Sequence, residues 1–81
     1  MKTEHSDRYK MLGLRIAYFR KLKGLTQERL AERVGKSAGY IGTVEAVNVE
    51  RAISLDMLFD ISEALSVPAY KFLQFHDGDD E

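Results

Sequence analysis

The stretch that decides the fold runs from Leu25 to Glu45 and reads LTQERLAERVGKSAGYIGTVE. Thr26 is a good helix N-cap, because its hydroxyl can accept a hydrogen bond from a free N–H group of the first turn. The apolar residues that follow recur at the spacing of one buried helical stripe: Leu30, Ala31 and Val34. This spacing predicts a short helix from Gln27 to Val34.

The second half of the stretch repeats the pattern after a turn. Gly35 follows the first helix at the position where glycine adopts a left-handed conformation at least cost. Ser37 is a second N-cap, and Ile41 and Val44 form the apolar stripe of a helix predicted from Ala38 to about Ala46. Two helices this short need supporting helices to cover their apolar faces. The pattern indicates a helix-turn-helix, a motif whose second helix typically enters a DNA major groove.

A longer helical pattern precedes this unit. Three apolar residues at helical spacing predict a stripe that faces the core: Leu12, Ile16 and Phe19. We expect this helix to run from about Arg8 to Lys23, with Ser6 or Asp7 as its cap, and to end at Gly24. Residues 1–6 are polar and are predicted to be frayed.

Two further helices are predicted after the unit. Ser54 is the N-cap of the fourth helix, whose apolar stripe consists of Leu55, Leu58, Ile61 and Leu65. Pro68 suits the first position of a fifth helix, from Ala69 to about Gln74. Strand signals are weak, so we expect an all-α protein with five helices.

Composition limits what the chain can be. Eighty-one residues form one domain, and a chain this small buries only about 60% of its unfolded surface. The chain has no cysteine, which excludes disulfides and thiolate metal sites and favours a cytoplasmic protein. No apolar run approaches the roughly 20 residues of a membrane span, and the first residues do not resemble a signal peptide. We therefore expect residues 1–75 to form one domain that does not associate with membranes.

The charge of the chain is unevenly distributed. Its net charge of −1 at pH 7 is unusual for a DNA-binding protein, but the last six residues alone carry four acids. Between Arg8 and Lys36, nine basic residues oppose only Glu28 and Glu32, for a net charge of +7. Such a basic region is typical of nucleic-acid binding, although basic residues also simply solvate helix surfaces. Residues 76–81 are predicted to form a disordered acidic tail.

The sequence offers little for catalysis. The two histidines lie near opposite ends of the chain, and neither an H-E-x-x-H motif nor clustered carboxylates occur. The glycines of GKSAGYIG superficially resemble a phosphate-binding loop, but no strand precedes them. We expect a protein that is not an enzyme and that holds no metal or cofactor.

At the level of whole motifs, the chain resembles the phage Cro/repressor-like regulators, known as the XRE family, over residues 10–75. The matching residues in the unit are Leu25, Thr26, Gln27, Glu28, Leu30, Ala31, Gly35, Ser37, Tyr40, Ile41, Val44 and Glu45. The flanks match at Leu12, Gly13, Ile16, Phe19, Arg20, Gly24, Ser54, Leu55, Leu58, Ile61, Ala64, Leu65 and Val67. The resemblance implies a five-helix lambda-repressor-like fold in which helices 2 and 3 form the helix-turn-helix. It also implies a sequence-specific transcriptional regulator, usually a repressor, that binds double-stranded DNA as a homodimer.

The resemblance also implies which residues contact DNA. Gln27, at the start of helix 2, would anchor the DNA backbone, since a helix N-terminus favours phosphate. Three residues of helix 3 would point into the major groove: Ala38, Gly39 and Thr43. Lys36 and Ser37 would contact phosphate at the turn, and Tyr40 would either do the same or lie partly buried. Alanine and glycine offer little to a base edge, so base specificity is expected to be modest or to depend on DNA shape.

An ion pair is implied at the end of helix 3. In the family, an arginine late in helix 1 and a glutamate late in helix 3 form a partly buried pair. Here these residues would be Arg20 and Glu45. The pair would fix the recognition helix to its support, and Glu45 is therefore expected to be structural.

The segment that follows helix 3 departs from the family. Val47 and Ile53 stand where most members have a glycine and a proline, and the connection is longer than usual. Asn48 can replace the missing glycine, because asparagine tolerates the left-handed conformation. Asn48 and Arg51 are predicted to lie near the DNA backbone.

The C-terminal region carries more aromatic residues than a short terminal helix can bury. We predict that Phe59, Tyr70, Phe72 and Phe75 form an exposed patch that serves as a homodimer interface. The alternative is that these rings close the core.

A second reading of the function also remains open. The small residues Ala38 and Gly39, the net negative charge and the aromatic C-terminus fit a protein-interaction module that keeps the helix-turn-helix fold but has weak or no DNA binding. Since no separate ligand domain is evident, any control of the protein is expected to come through a protein co-regulator or through its abundance.

Overall fold

A computed structural model describes residues 4–46 and 52–75 of the chain. Its elements are α1 (Ser6–Leu22), α2 (Gln27–Val34), α3 (Ala38–Glu45), α4 (Leu55–Leu65) and a 3₁₀ helix (Ala69–Leu73). No strand occurs in these two ranges, and the prediction of an all-α fold is confirmed. None of the helices within them is both long and apolar enough to cross a lipid bilayer.

The prediction of five α-helices was wrong, because the fifth element is a 3₁₀ helix. The segment is only five residues long and leaves the helical conformation at Gln74, whose ψ is 89°. An α-helix this short forms too few backbone hydrogen bonds to offset the cost of nucleation, whereas 3₁₀ helices are common in pieces of this size. The tighter turn still directs Phe72 into the core.

An apolar core lies between the four α-helices and the 3₁₀ helix. Its buried side chains are Leu12, Ile16, Phe19, Leu30, Ala31, Ile41, Val44, Met57, Leu58, Ile61, Leu65, Val67 and Phe72. Helix α2 packs against α3 and α4, and α1 packs against α3, α4 and the 3₁₀ helix. The stripes predicted for the first three helices lie in this core, with Val34 half-buried at its edge.

The stripe predicted for the fourth helix contains one error. Leu58, Ile61 and Leu65 are buried, but Leu55 is 65% exposed. At 100° per residue, Leu55 lies about 120° around the helix from Ile61, which places it away from the core. Phe59 lies about 160° from Ile61 and is 47% exposed. We refer to Leu55 and Phe59 as the outer face of α4.

The N-caps of the short helices are the residues that the sequence predicts. The hydroxyls of Thr26, Ser37 and Ser54 each accept a backbone N–H three residues later, at 3.0–3.1 Å. Gly35 adopts the left-handed conformation with φ 71°, which ends α2 and turns the chain into α3. Ser66 ends α4 in the same conformation, with φ 56°, and was not predicted to do so.

Helix α1 begins earlier than predicted. Its first helical residue is Ser6, and the cap position is His5, which makes no side-chain capping hydrogen bond. Ser6 and Asp7 therefore lie inside the first turn, where the carboxylate of Asp7 suits the positive end of the helix dipole. The predicted roles of Ser6 or Asp7 as the cap were wrong for this reason.

Phe72 is not part of an exposed patch. Its side chain is 0% exposed and its ring lies edge-on to Phe19, with the centroids 5.2 Å apart. For this ring, the alternative of core closure is the correct one. The guanidinium of Arg15 lies over the ring of Phe19, 5.0 Å from its centroid. The same guanidinium donates a hydrogen bond to the carbonyl of Lys71. Helix α1 thereby holds the 3₁₀ helix in place.

Several predictions lie outside the described residues. They concern Val47, Asn48 and Arg51 in the segment after α3, and the acidic tail at 76–81.

Candidate nucleic-acid interface

Helix α3 presents a small and smooth face to solvent. Ile41, Val44 and Glu45 face inward and are buried. At 100° per residue, Gly39 and Thr43 lie about 160° and 200° around the helix from Ile41, directly opposite the core. Gly39 is exposed, and a Cβ added there would meet nothing closer than the hydroxyl of Ser37 at 3.9 Å. Ala38 lies on the flank of this face and is half-buried.

The hydroxyl of Ser37, the N-cap of α3, accepts a hydrogen bond, whereas the hydroxyl of Thr43 within α3 donates one. Ser37 accepts the backbone N–H of Tyr40 at 3.1 Å through Oγ. Thr43 instead donates through Oγ1 to the carbonyl of Gly39, at 3.0 Å. The hydroxyl proton is therefore engaged at Thr43 but not by the cap bond of Ser37.

The predicted ion pair between α1 and α3 is confirmed. Arg20 donates through Nε to Oε2 of Glu45 at 2.7 Å and through Nη2 to Oε1 at 2.9 Å. Both residues are buried, and Arg20 also donates through Nη1 to the carbonyl of Leu25 at 2.8 Å. The hydrogen bond from Arg20 to Glu45 raises the pKa of the Arg20 guanidinium, and burial opposes this shift. Arg20 therefore stays charged and neutralises the carboxylate of Glu45.

Gln27 extends this network to the start of α2. Its side-chain Nε2 donates to Oε1 of Glu45 at 3.0 Å, so Glu45 receives bonds from both supporting helices. The amide oxygen lies close to Gly42, where an added Cβ would be 3.5 Å away. The sequence reasoning missed this link. The two residues are 18 positions apart in the sequence, and their contact depends on the angle between α2 and α3.

A lysine in the turn between α2 and α3 contacts a tyrosine in the first turn of α3. The ammonium of Lys36 lies 5.4 Å from the ring centroid of Tyr40, within the range of a cation–π interaction. Tyr40 is half-buried and packs against the core, while Lys36 is exposed. The partial burial considered for Tyr40 is observed, and its contact with phosphate stays a prediction.

The basic residues of this half of the chain do not all face outward. Arg20 is consumed by the ion pair, and Arg33 donates through Nη1 to the carbonyl of Ala64 at 3.1 Å, which joins α2 to α4. Arg29 contacts Glu32 at 3.5 Å on the surface, where such a pair contributes little to stability. In the described ranges, no group of three or more His, Asp or Glu side chains comes close enough to hold a metal ion.

The remaining aromatic residues of the C-terminal region are spread over the surface and its edge. Phe59 and Tyr70 are exposed, at 47% and 61%, whereas Phe75 is half-buried and packs against the core. Because Phe72 is buried in the core, the candidate homodimer interface consists of the outer face of α4 together with Tyr70 and Phe75.

Comparisons with known proteins find helix-turn-helix transcriptional regulators. A helix-turn-helix family profile matches residues 16–72. An uncharacterized HTH-type transcriptional regulator, YazB of Bacillus subtilis, is 40% identical over 57 residues, covering 70% of this chain and 80% of that protein. The HTH-type transcriptional regulator SinR of Bacillus licheniformis is 33% identical over 67 residues, which cover 83% of this chain but only 60% of SinR.

Among solved structures, the chain is similar to the restriction-modification controller protein C.AhdI of Aeromonas hydrophila. The two are 30% identical with a TM-score of 0.78, and the match covers 86% of this chain and 99% of that one. The similarity in sequence and in structure spans α2 and α3 and the helices that support them.

Proposed function

Because this chain belongs to the XRE-type helix-turn-helix family of transcriptional regulators, we propose that it is a sequence-specific DNA-binding repressor that acts as a homodimer. The observation that carries this proposal is the outward face of α3. Gly39 and Thr43 stand opposite the core, and Gly39 is exposed while Thr43 is half-buried. A helix exposed along one side is the element that a major groove admits.

Phosphate contacts would hold α3 in the groove. The ammonium of Lys36 is exposed at the turn, and the hydroxyl proton of Ser37 is free of the cap bond. Gln27 lies at the first position of α2, where backbone N–H groups and the helix dipole favour an anion. One N–H of its amide is held by Glu45, which fixes the direction of the second. Lys36 and Ser37 lie at the turn before α3, and the amide of Gln27 lies close to Gly42 in the second half of that helix.

The acidic residue in this region does not oppose DNA binding. Glu45 is only 9% exposed and accepts two hydrogen bonds from Arg20. Its charge is therefore compensated inside the protein and contributes little to the potential at the surface. Apart from Arg20, which this pair uses, eight basic residues between Arg8 and Lys36 oppose only Glu28 and Glu32, for a net charge of +6 that attracts phosphate.

The homodimer is proposed from the outer face of α4 and its neighbours. Leu55, Phe59 and Tyr70 are large apolar residues that the described part of the chain leaves exposed. Burying such residues against a second copy releases apolar surface from water and would place two α3 helices on one duplex. The two half-sites would be about 34–36 Å apart, and occupancy of such an operator would block transcription.

A salt titration tests DNA binding directly. The wild-type protein is titrated with random duplex DNA at several salt concentrations, and log K should fall with log[salt] by about 0.9 per phosphate neutralised. Lys36→Gln should reduce this slope by about one. Lys71→Gln removes the same charge from the exposed surface of the 3₁₀ helix and should leave the slope unchanged. Equal slopes for Lys36→Gln and the wild type would refute the docking.

One observation favours the alternative of a protein-interaction module. Within residues 4–46 and 52–75, seven large apolar side chains are about half or more exposed, and Leu14, Tyr18 and Leu22 of α1 lie outside the proposed dimer interface. In this alternative the protein binds another protein and has weak or no affinity for duplexes. The same titration decides between the two, because the alternative predicts no salt-dependent DNA binding by the wild type.

A further inference from the structure

The two hydroxyls of the recognition helix differ in what they can still offer to a ligand. A serine or threonine hydroxyl has one proton to donate and lone pairs that accept. At Ser37 one lone pair is taken by the N–H of Tyr40, and the proton remains to be donated. At Thr43 the proton is donated to the carbonyl of Gly39, and a lone pair remains. The partner at Thr43 is a carbonyl oxygen, which cannot donate, so the sense of this bond is fixed by chemistry.

The same bond fixes the orientation of the Thr43 side chain. A hydrogen bond to the carbonyl four residues earlier holds χ1 in one rotamer, as is common for threonine in helices. Thr43 is half-buried on the face of α3 opposite the core, one turn after the exposed Gly39, which has no side chain to shield it. The side chain therefore presents an oxygen acceptor and a methyl group along a fixed direction.

Base edges in the major groove are distinguished by whether they donate or accept. Adenine and cytosine present exocyclic amino groups, which donate, whereas guanine O6 and thymine O4 accept. Phosphate oxygens only accept. Ser37, with its proton available, is matched to phosphate. Thr43, with a lone pair available, is matched to an amino group and faces lone pairs if the base is guanine or thymine.

We infer that Thr43 determines specificity as a hydrogen-bond acceptor, selecting adenine or cytosine over guanine or thymine at one position on one strand of the operator. This inference rests on the proposed DNA binding and adds the chemistry of the base that is read. Reading guanine or thymine requires the hydroxyl to rotate and give up its bond to Gly39. Since that bond is a single neutral one, the preference should be about threefold to tenfold in affinity.

The test begins with selection of bound sites from a random duplex pool by the wild-type protein. At the position that contains adenine or cytosine and responds to Thr43, the exocyclic amino group is then replaced by hydrogen in a synthetic duplex. The wild type should bind this duplex about threefold to tenfold more weakly than the parent. Thr43→Val removes the hydroxyl but keeps the branched shape, and should bind both duplexes equally. Thr43→Ser keeps the hydroxyl and should retain the preference.

Each other outcome overturns the inference in a recognisable way. If Thr43→Val discriminates between the two duplexes as the wild type does, Thr43 does not read the amino group, although the DNA-binding proposal stands. If selection yields guanine or thymine at the position that depends on Thr43, the hydroxyl donates and the inferred polarity is wrong. If the wild type binds no duplex, the proposed function fails as well. Thermal melting of both variants checks that α3 remains folded.

Discussion

At the scale of single residues, Gly13 sets how closely α1 approaches α3. A Cβ at this position would overlap the carbonyl oxygen of Val44, in the last turn of the recognition helix. The neighbour is backbone, which cannot move aside without displacing α3. We expect Gly13→Ala to destabilise the protein by about 1–3 kcal/mol, as in other overpacked sites.

Urea unfolding measures this effect, and the helix itself supplies the control. Gly39→Ala is the same substitution at a site where the added carbon has open space. It should stabilise the protein by up to about 1 kcal/mol, because alanine favours the helix over glycine. Equal stability of Gly13→Ala and the wild type would show that the close contact is not a real constraint.

The buried pair of Arg20 and Glu45 gives a second prediction at this scale. Arg20→Met strands the carboxylate of Glu45 with only the amide of Gln27 as a partner, and should cost about 3–5 kcal/mol. Arg20→Met combined with Glu45→Leu removes both charges and should be clearly more stable than Arg20→Met alone. Chemical denaturation of the two single variants and the double variant measures the coupling. Additive losses would mean that the pair does not act as a unit.

At the scale of secondary-structure elements, the end of α4 is strained. Ser66 adopts a left-handed conformation with φ 56°, which costs an L-residue with a side chain roughly 1–2 kcal/mol. Ser66→Gly should therefore stabilise the protein by about 0.5–1 kcal/mol, after the entropy of glycine in the unfolded chain is subtracted. The melting temperature should rise correspondingly. Ser62→Gly, within the same helix, is the control and should lower it.

The elements also show what the sequence could predict. The N-termini of α2 and α3 were predicted correctly, because Thr26 and Ser37 form capping hydrogen bonds within the next helical turn. The turn between the two helices was predicted because glycine at position 35 suits the left-handed conformation. These features depend on residues within one turn of each other. The 3₁₀ helix was predicted as an α-helix because Pro68 suits the first turn of a helix, but a segment of only five residues favours the tighter form.

In the candidate site, too, some features follow from the local sequence and others depend on tertiary contacts. The outward positions of Gly39 and Thr43 agree with the helical period once Ile41 and Val44 are recognised as the core stripe, whereas their role in the groove is implied by the family resemblance. The bond from Gln27 to Glu45 and the inward position of Phe72 are tertiary contacts, which depend on the angles between helices. Neighbouring residues in the sequence carry no information on those angles, so the dimer interface predicted from aromatic content alone included a core residue.

At the scale of the whole molecule, the outer face of α4 should hold two copies together. Phe59→Lys places a charge at the centre of this face while leaving the core untouched, since the side chain is already half exposed. Sedimentation should show a shift of this variant toward monomer. Leu22→Lys introduces the same charge at an exposed apolar residue of α1 and should sediment like the wild type. A wild type that remains monomeric at high concentration would reject the dimer.

A negative charge on the outward face of α3 tests DNA binding by this helix directly. Gly39→Glu fits the open space at this position, and a carboxylate in the first turn suits the helix dipole, so the fold should be retained. Gln74→Glu makes the same change in net charge outside α2 and α3. Affinity for duplex DNA is measured for both variants at one salt concentration. We expect Gly39→Glu to bind at least about tenfold more weakly than Gln74→Glu, through repulsion by phosphate. Equal affinities would show that this face of α3 does not meet DNA.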